Sequence, residues 1–241
     1  MKKQTVIASF LVLFMPLLIL AQDSTARKGY YIGAVFSPDY SYRILSPGHG
    51  MIDPLIVQQR NASEIPKLSF TAGVNLLHQR NKKIAYSLGI QFSIKGEAGN
   101  FVPVMFSNGT TERVSFSYNT TYLDLPFKFD YYICTGRNAW YVTGGISPNI
   151  FLYEQVIDVV KADNGSEQRS STIYGINRAN YNLINPQVQL GFGFDRQINS
   201  SRLRIEPIYR MSVWNVHDAG TVKGYFYSIG INCSYLFSLK K

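Results

Sequence analysis

Long apolar runs are what this chain of 241 residues lacks. Beyond residue 21, no stretch approaches the roughly 18 apolar residues that a membrane-crossing helix requires, so that remainder is not a helical membrane protein. Cysteine is nearly absent, with Cys134 and Cys233 the only two. They fall on the fourth and eighth of the segments described below, on opposite sides of a closed sheet, and no Cys/His cluster accompanies them. A disulfide and a metal centre are both disfavoured, and no lipoprotein cysteine follows the N-terminal segment. Histidine is as scarce: His49, His78 and His217. Catalysis by a side-chain base needs a nucleophile or a second acid beside it. The nearest approach is His217-Asp218 in one connection and His49, with Ser46 and Asp53, in another. An adjacent His-Asp in a loop is ordinarily a solvated turn, so no enzyme activity is expected. Acidic residues are outnumbered 15 to 24, giving a formal charge of +9. Yet apart from HQRNKK at His78–Lys83 the cations are scattered, and nucleic-acid binding needs a basic stripe. The expectation is no nucleic acid, no cofactor, no internal repeat, no low-complexity tract and no second domain.

What the chain has instead is alternation and aromatic rings, 17 Tyr and 15 Phe. In Tyr122–Tyr132, YLDLPFKFDYY, side chains alternate across an extended strand with period two. Leu123, Leu125, Phe127, Phe129 and Tyr131 share one face. Tyr122, Asp124, Pro126, Lys128, Asp130 and Tyr132 share the other. Seven further segments repeat the pattern: Tyr30–Tyr42, Leu68–His78, Ile84–Lys95, Trp140–Leu152, Gln187–Asp195, Leu203–Val213 and Tyr225–Phe237. Each is long enough for a tilted strand to cross a bilayer, which takes about 9–11 residues.

The connections alternate too. Arg43–Lys67, Gly96–Thr121 and Tyr153–Pro186 are long, Gln79–Lys83, Thr135–Ala139 and Gln197–Ser201 are short, and Asn215–Lys223 is intermediate. Tight turns on one side and long loops on the other are the outer-membrane pattern. The predicted fold is all-β: an eight-stranded antiparallel up-and-down transmembrane β-barrel, residues 22–241. It is preceded by a signal peptide, residues 1–21, with Lys2 and Lys3, an apolar stretch from Val6 to Leu20 and cleavage after Ala21. The long loops would face outward from the cell. The rival, a soluble lipocalin-like barrel, would line its cavity with the greasy face and wet the charged one. Pro38, Pro126, Pro148 and Pro207 lie within predicted strands, so each is expected at a bulge or near a rim.

YLDLPFKFDYY, with GYYIGAVFSPDYSYR at Gly29–Arg43 and LRIEPIYRMSV at Leu203–Val213, resembles the outer-membrane β-barrel domain of the PorT-like family, common in Bacteroidota. Tyr122, Leu123, Asp124, Leu125 and Pro126 carry the most recognisable match. The resemblance implies an eight-stranded outer-membrane barrel. Because PorT itself belongs to a secretion apparatus, it also implies a place in an envelope complex.

Eight charged residues are expected to point into the lumen: Lys95, Asp124, Lys128, Asp130, Asp195, Arg204, Glu206 and Arg210. A barrel of eight strands is just wide enough for side chains to fill, and unpaired buried ions cost several kcal/mol each. A structural salt-bridge network across the fourth and seventh segments follows, with the hydroxyls of Tyr122, Tyr132 and Tyr141 assisting. An ion path or proton relay is the functional alternative. The predicted role is non-enzymatic: a structural or partner-docking component of the outer membrane, in contact with lipid and lipopolysaccharide and with protein partners through the long loops. A small porin or ligand transporter, and a lipid- or peptide-modifying rim enzyme, are the other readings.

Overall fold

The computed structural model describes residues 29–48, 50–105, 110–162, 164–176, 181–216 and 222–239. The signal peptide, His49, Asp163, His217 and Asp218 lie outside the described residues, as do Ser107, Asn108 and Gly109. Among the described residues twelve strands form one sheet. They are β1 (Gly29–Ser46), β2 (Glu64–Gln79), β3 (Ile84–Lys95), β4 (Glu97–Gly99), β5 (Val102–Met105), β6 (Thr111–Asp124), β7 (Phe127–Cys134), β8 (Asn138–Lys161), β9 (Glu167–Gly175), β10 (Ile184–Ile198), β11 (Ser201–Ser212) and β12 (Lys223–Leu239). One helix, α1 (Asp53–Ser63), lies between β1 and β2 and starts with Pro54 in its first turn. No described helix is long and apolar enough to cross a membrane.

From β1, paired neighbours run through β12, β11, β10, β8, β7, β3 and β2, and β2 pairs again with β1. The sheet therefore closes, leaving no edge along this circuit. All the pairings are antiparallel. The count is twelve and not eight for two reasons. The YLDLPFKFDYY segment breaks at Leu125-Pro126 into β6 and β7. The stretches expected as long loops are also largely ordered, carrying α1, β4, β5, β9 and the extended ends of β6 and β8.

The prolines correct another expectation. No register shift accompanies Pro38, Pro148 or Pro207, which pair with Phe70, Pro186 and Ile231 within unbroken registers. Bulges fall instead at Thr121/Tyr122 and at Tyr132/Cys134. A proline removes one donor but keeps its acceptor. Accordingly the Leu125 N–H donates to the Pro148 carbonyl, Val213 to that of Pro186 and Gly89 to that of Pro126, at 3.0 Å each. Skipping one ladder bond is evidently tolerated without a bulge.

Burial alternates along β3, β7, β11 and β12 and the barrel part of the other long strands, with the polarity of a water-soluble protein reversed. Phe36, Tyr40, Leu68, Leu88, Ile90, Phe92, Phe129, Ile146, Leu190, Ile229 and Phe237 are exposed on the outer wall, while Arg, Lys, Asp and Glu fill the interior. Near the short turns the outer wall carries stacked rings, Tyr30 on His78 and Trp140 on Phe192. Tyr209 and Tyr227 pack together toward the other end. An apolar belt with aromatic rings toward both ends makes a surface for hydrocarbon between two interfaces, and a lipocalin-like arrangement is excluded by it.

A cation in the belt should therefore cost far more than one beyond it. Ile90→Arg is expected to lower stability by about 2–4 kcal/mol, and Met105→Arg, on exposed β5, by about 0–1 kcal/mol. Urea unfolding in phospholipid vesicles measures both; equal effects would contradict the belt.

Candidate functional site

Inside the barrel, five cations and five carboxylates pair one to one. Lys95 meets Asp124 at 3.3 Å, Lys128 meets Glu206 at 2.7 Å, Arg204 meets Asp130 at 2.6 Å and Arg210 meets Asp39 at 2.6 Å. Arg202 contacts Asp195. Arg204 also approaches Asp195 and Glu206, at 3.7 and 4.0 Å. All ten side chains are buried. Equal numbers of each sign leave this layer with no net charge to attract an ion of either kind.

Strand β11 is the hub, because its period-two face presents Arg202, Arg204, Glu206 and Arg210 in succession. Their partners sit on β10, β7 and β1, of which only β10 is a hydrogen-bonded neighbour of β11. These pairs are braces across the lumen. Tyr132 donates its hydroxyl proton to Asp195 at 2.7 Å and Tyr141 to Glu206 at 2.8 Å. The guanidinium of Arg204 lies 4.2 Å from the centre of the Tyr141 ring, a favourable approach to the ring's negative face. Tyr141 needs room to reach Glu206, and Gly193 supplies it. A Cβ at that position would stand 2.2 Å from the Tyr141 ring. Gly230 does the same for Asp39, whose carboxylate lies 1.8 Å from where a Cβ would be.

Aromatic clusters close the lumen on either side of this layer. Near the short turns Tyr31, Leu77, Ala85, Tyr132, Ala139, Tyr141 and Leu236 pack together. Toward the long connections Tyr122, Phe151, Tyr181, Val216 and Phe226 do so. Beyond the belt's edge at Ile94, Arg43 is held between Glu64 at 2.9 Å and Glu97 at 2.6 Å. Arg60 from α1 joins Glu64 at 2.6 Å. Burial foremost, and then the neighbouring charge of Glu64, raises the Glu97 carboxyl from 4.5 to about 7 against the pull of Arg43.

Of the eight residues singled out from the sequence, the structure brings Asp130, Asp195, Arg204, Glu206 and Lys128 into one cluster and Lys95 with Asp124 into a separate pair. Arg210 turns to Asp39. The Tyr122 hydroxyl, expected to assist, has no hydrogen-bond partner among the described residues. Its ring packs edge-on against Phe151 and Phe226, and only its face is used, 5.1 Å from the Lys95 ammonium. The sequence reading left out Asp39, Arg43, Glu64, Glu97 and Arg202. The same alternation marks most of them: 202 is two residues before Arg204, 97 two after Lys95, and 39 and 43 share a face. Arg43, Glu97 and Arg202 lie just past the ends of the predicted segments. His78 stacks on Tyr30 at the outer wall, and the Asp53 carboxylate accepts from the Gly50 N–H at 2.8 Å. Cys134 and Cys233 are free. Among the described residues no group of His, Cys, Asp and Glu is placed to hold a metal ion.

No protein-family model matches the chain, and a search of curated proteins finds no match. The solved structures it is similar to include the following. Neisserial surface protein A is 12% identical over 87% of this chain and 98% of that one, with a TM-score of 0.37. Ail, the attachment invasion locus protein of Yersinia pestis, is 9% identical over 87% and 99%, with a TM-score of 0.36. The outer membrane protein OprG from Pseudomonas aeruginosa is 12% identical over 88% and 97%, also at 0.36. At such scores the closed sheet stands on its own strand pairings.

Removing one member of a brace leaves the other charged and buried. Arg210→Met should cost about 3–5 kcal/mol, and adding Asp39→Asn should recover most of it; urea unfolding in vesicles reads both. Glu97 binds its proton more tightly folded than unfolded. Its contribution is complete below its unfolded value of 4.5 and is lost as pH rises through about 7. Stability should fall between those values, and Glu97→Gln should flatten that part of the profile; an unchanged profile would contradict it.

Proposed function

We propose that this chain is a non-enzymatic outer-membrane β-barrel whose lumen is locked shut and whose long-connection side docks protein partners in the cell envelope. The observation that carries the reading is the reversed polarity: an apolar outer belt around a neutral lattice of paired ions. In this reading eight staves cross the bilayer: β1, β2, β3, β6 with β7, β8, β10, β11 and β12. The short turns face the periplasm after removal of residues 1–21, and lipid and lipopolysaccharide surround the belt. β4, β5, β9 and α1 then stand outside the membrane. The motif Tyr122–Pro126 favours the PorT-like family within outer-membrane barrels, and with it a place in a secretion or envelope complex.

A small porin or ligand transporter would need a continuous polar path. Against it stand Tyr132 and Tyr141 at one end and Phe151 and Phe226 at the other, all buried, with the braces between them. A rim enzyme would draw on His49 and His217-Asp218, which lie outside the described residues. In planar bilayers the purified barrel should show no steady conductance. Loss of the Arg204 and Glu206 side chains together should yield flickering openings, whereas a stable open pore in the unaltered protein would overturn the sealed reading.

A further inference from the structure

The longest strand continues well past the belt. β8 runs for 24 residues, about twice what crosses a bilayer. Its outer half pairs with β6 on one side and β9 on the other, and β5 adds to β6. The result is a four-stranded blade in the order β5-β6-β8-β9, standing on the barrel rim with two lateral edges. An open edge presents unpaired N–H and C=O groups that another strand can pair with, and proteins blunt such edges with short length, proline or charge.

The two edges are treated differently. β5 has four residues and carries Pro103. β9 has nine, EQRSSTIYG, with no proline. Among the described residues it pairs only with β8, and its length is exposed apart from half-buried Tyr174. Ser170–Tyr174 is uncharged and ends in Thr172, Ile173 and Tyr174, residues that favour strands. Ile173 is 65% exposed. Two backbone hydrogen bonds link the described residues of the turn before β9. The Ala162 N–H donates to the Ser166 carbonyl, and Gly165, at φ 81°, donates to Ala162. Of the two charges on the strand, Glu167 is paired with Lys161 at 3.3 Å, and Arg169 meets no carboxylate among the described residues.

We infer that β9 is a docking edge that takes an extended, strand-forming segment of a partner protein, entering antiparallel and neutral but for one carboxylate that meets Arg169. This rests on the docking reading above and gives it a place and a mode, strand addition. A second copy fits less well. Copies in one membrane share an orientation, so two β9 edges could meet only as parallel strands, the weaker pairing.

The test places a photo-crosslinking benzophenone at Thr172, and separately at Val104 on β5, in the full chain in its native outer membrane. Attached peptides are then sequenced by mass spectrometry. The expected result is a Thr172 adduct to a single contiguous stretch of another protein, and none from Val104. Arg169→Glu should lower the adduct at least tenfold. So should at least one of Ser170→Pro and Ser171→Pro, since neighbouring N–H groups point to opposite sides of the strand. Heat-modifiable gel mobility verifies that each variant has a folded barrel. An adduct to a second copy, or a yield unchanged in all three variants, overturns the inference. A partner that co-purifies without a Thr172 adduct overturns it while leaving the docking reading intact, and absence of any stoichiometric partner removes both.

Discussion

Side chains that point into a sealed barrel leave water without reaching lipid, and an ion placed there is stable only if another ion and enough hydrogen bonds meet it. That constraint organises this molecule. It explains why β11, with four charges on one face, draws partners from β1, β7 and β10 rather than from one neighbour. It explains why glycines sit at 193 and 230, where a larger residue would displace Tyr141 or Asp39 from its partner. The backbone ladder closes the sheet, but it would close as readily around other contents. Three of the five pairs, Lys128–Glu206, Arg204–Asp130 and Arg210–Asp39, join strands that the ladder does not, and so fix the cross-section and the register together.

The same constraint bears on what the barrel can do. A lattice with each cation matched to a carboxylate, capped by buried aromatic rings at both ends, suits a wall plug better than a channel. Beyond this lattice lies the rim, where the strands outrun the apolar belt. There the ordered blade and α1 replace the loose loops that connection lengths alone would imply. Arg43 and Arg60 bind α1, β2 and β4 into that rim through Glu64 and Glu97, so the outer structure is tied to the barrel by ions as the barrel is tied across itself.

Much of this was legible from period-two alternation, because lipid and lumen impose opposite demands on successive side chains. The outer face of Ile84–Lys95 and the inward set on Leu203–Val213 are read directly from that rhythm. Alternation does not say where a strand stops. Arg202 and Glu97 continue the inward face beyond the ends of their predicted segments, while β5 is too short and β9, EQRSSTIYG, too polar to stand out against loop composition. Pairing across the lumen is equally hidden, since nothing local to Arg210 points to Asp39, 171 residues away. The prolines misled for a different reason. One missing donor is a smaller disturbance than a register shift, so Pro38 and Pro207 sit in the ladder where a bulge was expected.

The central claim is that successive residues of one strand face hydrocarbon and a sealed interior by turns. Nitroxide labels placed singly at each position from Ala85 to Phe92 of β3, in lipid vesicles, test it most directly through collision with oxygen and with a water-soluble nickel chelate. The account predicts high oxygen accessibility at Tyr86, Leu88, Ile90 and Phe92, and protection from both agents at Ala85, Ser87 and Gln91. Chelate access at the latter positions, or loss of the alternation, would contradict it.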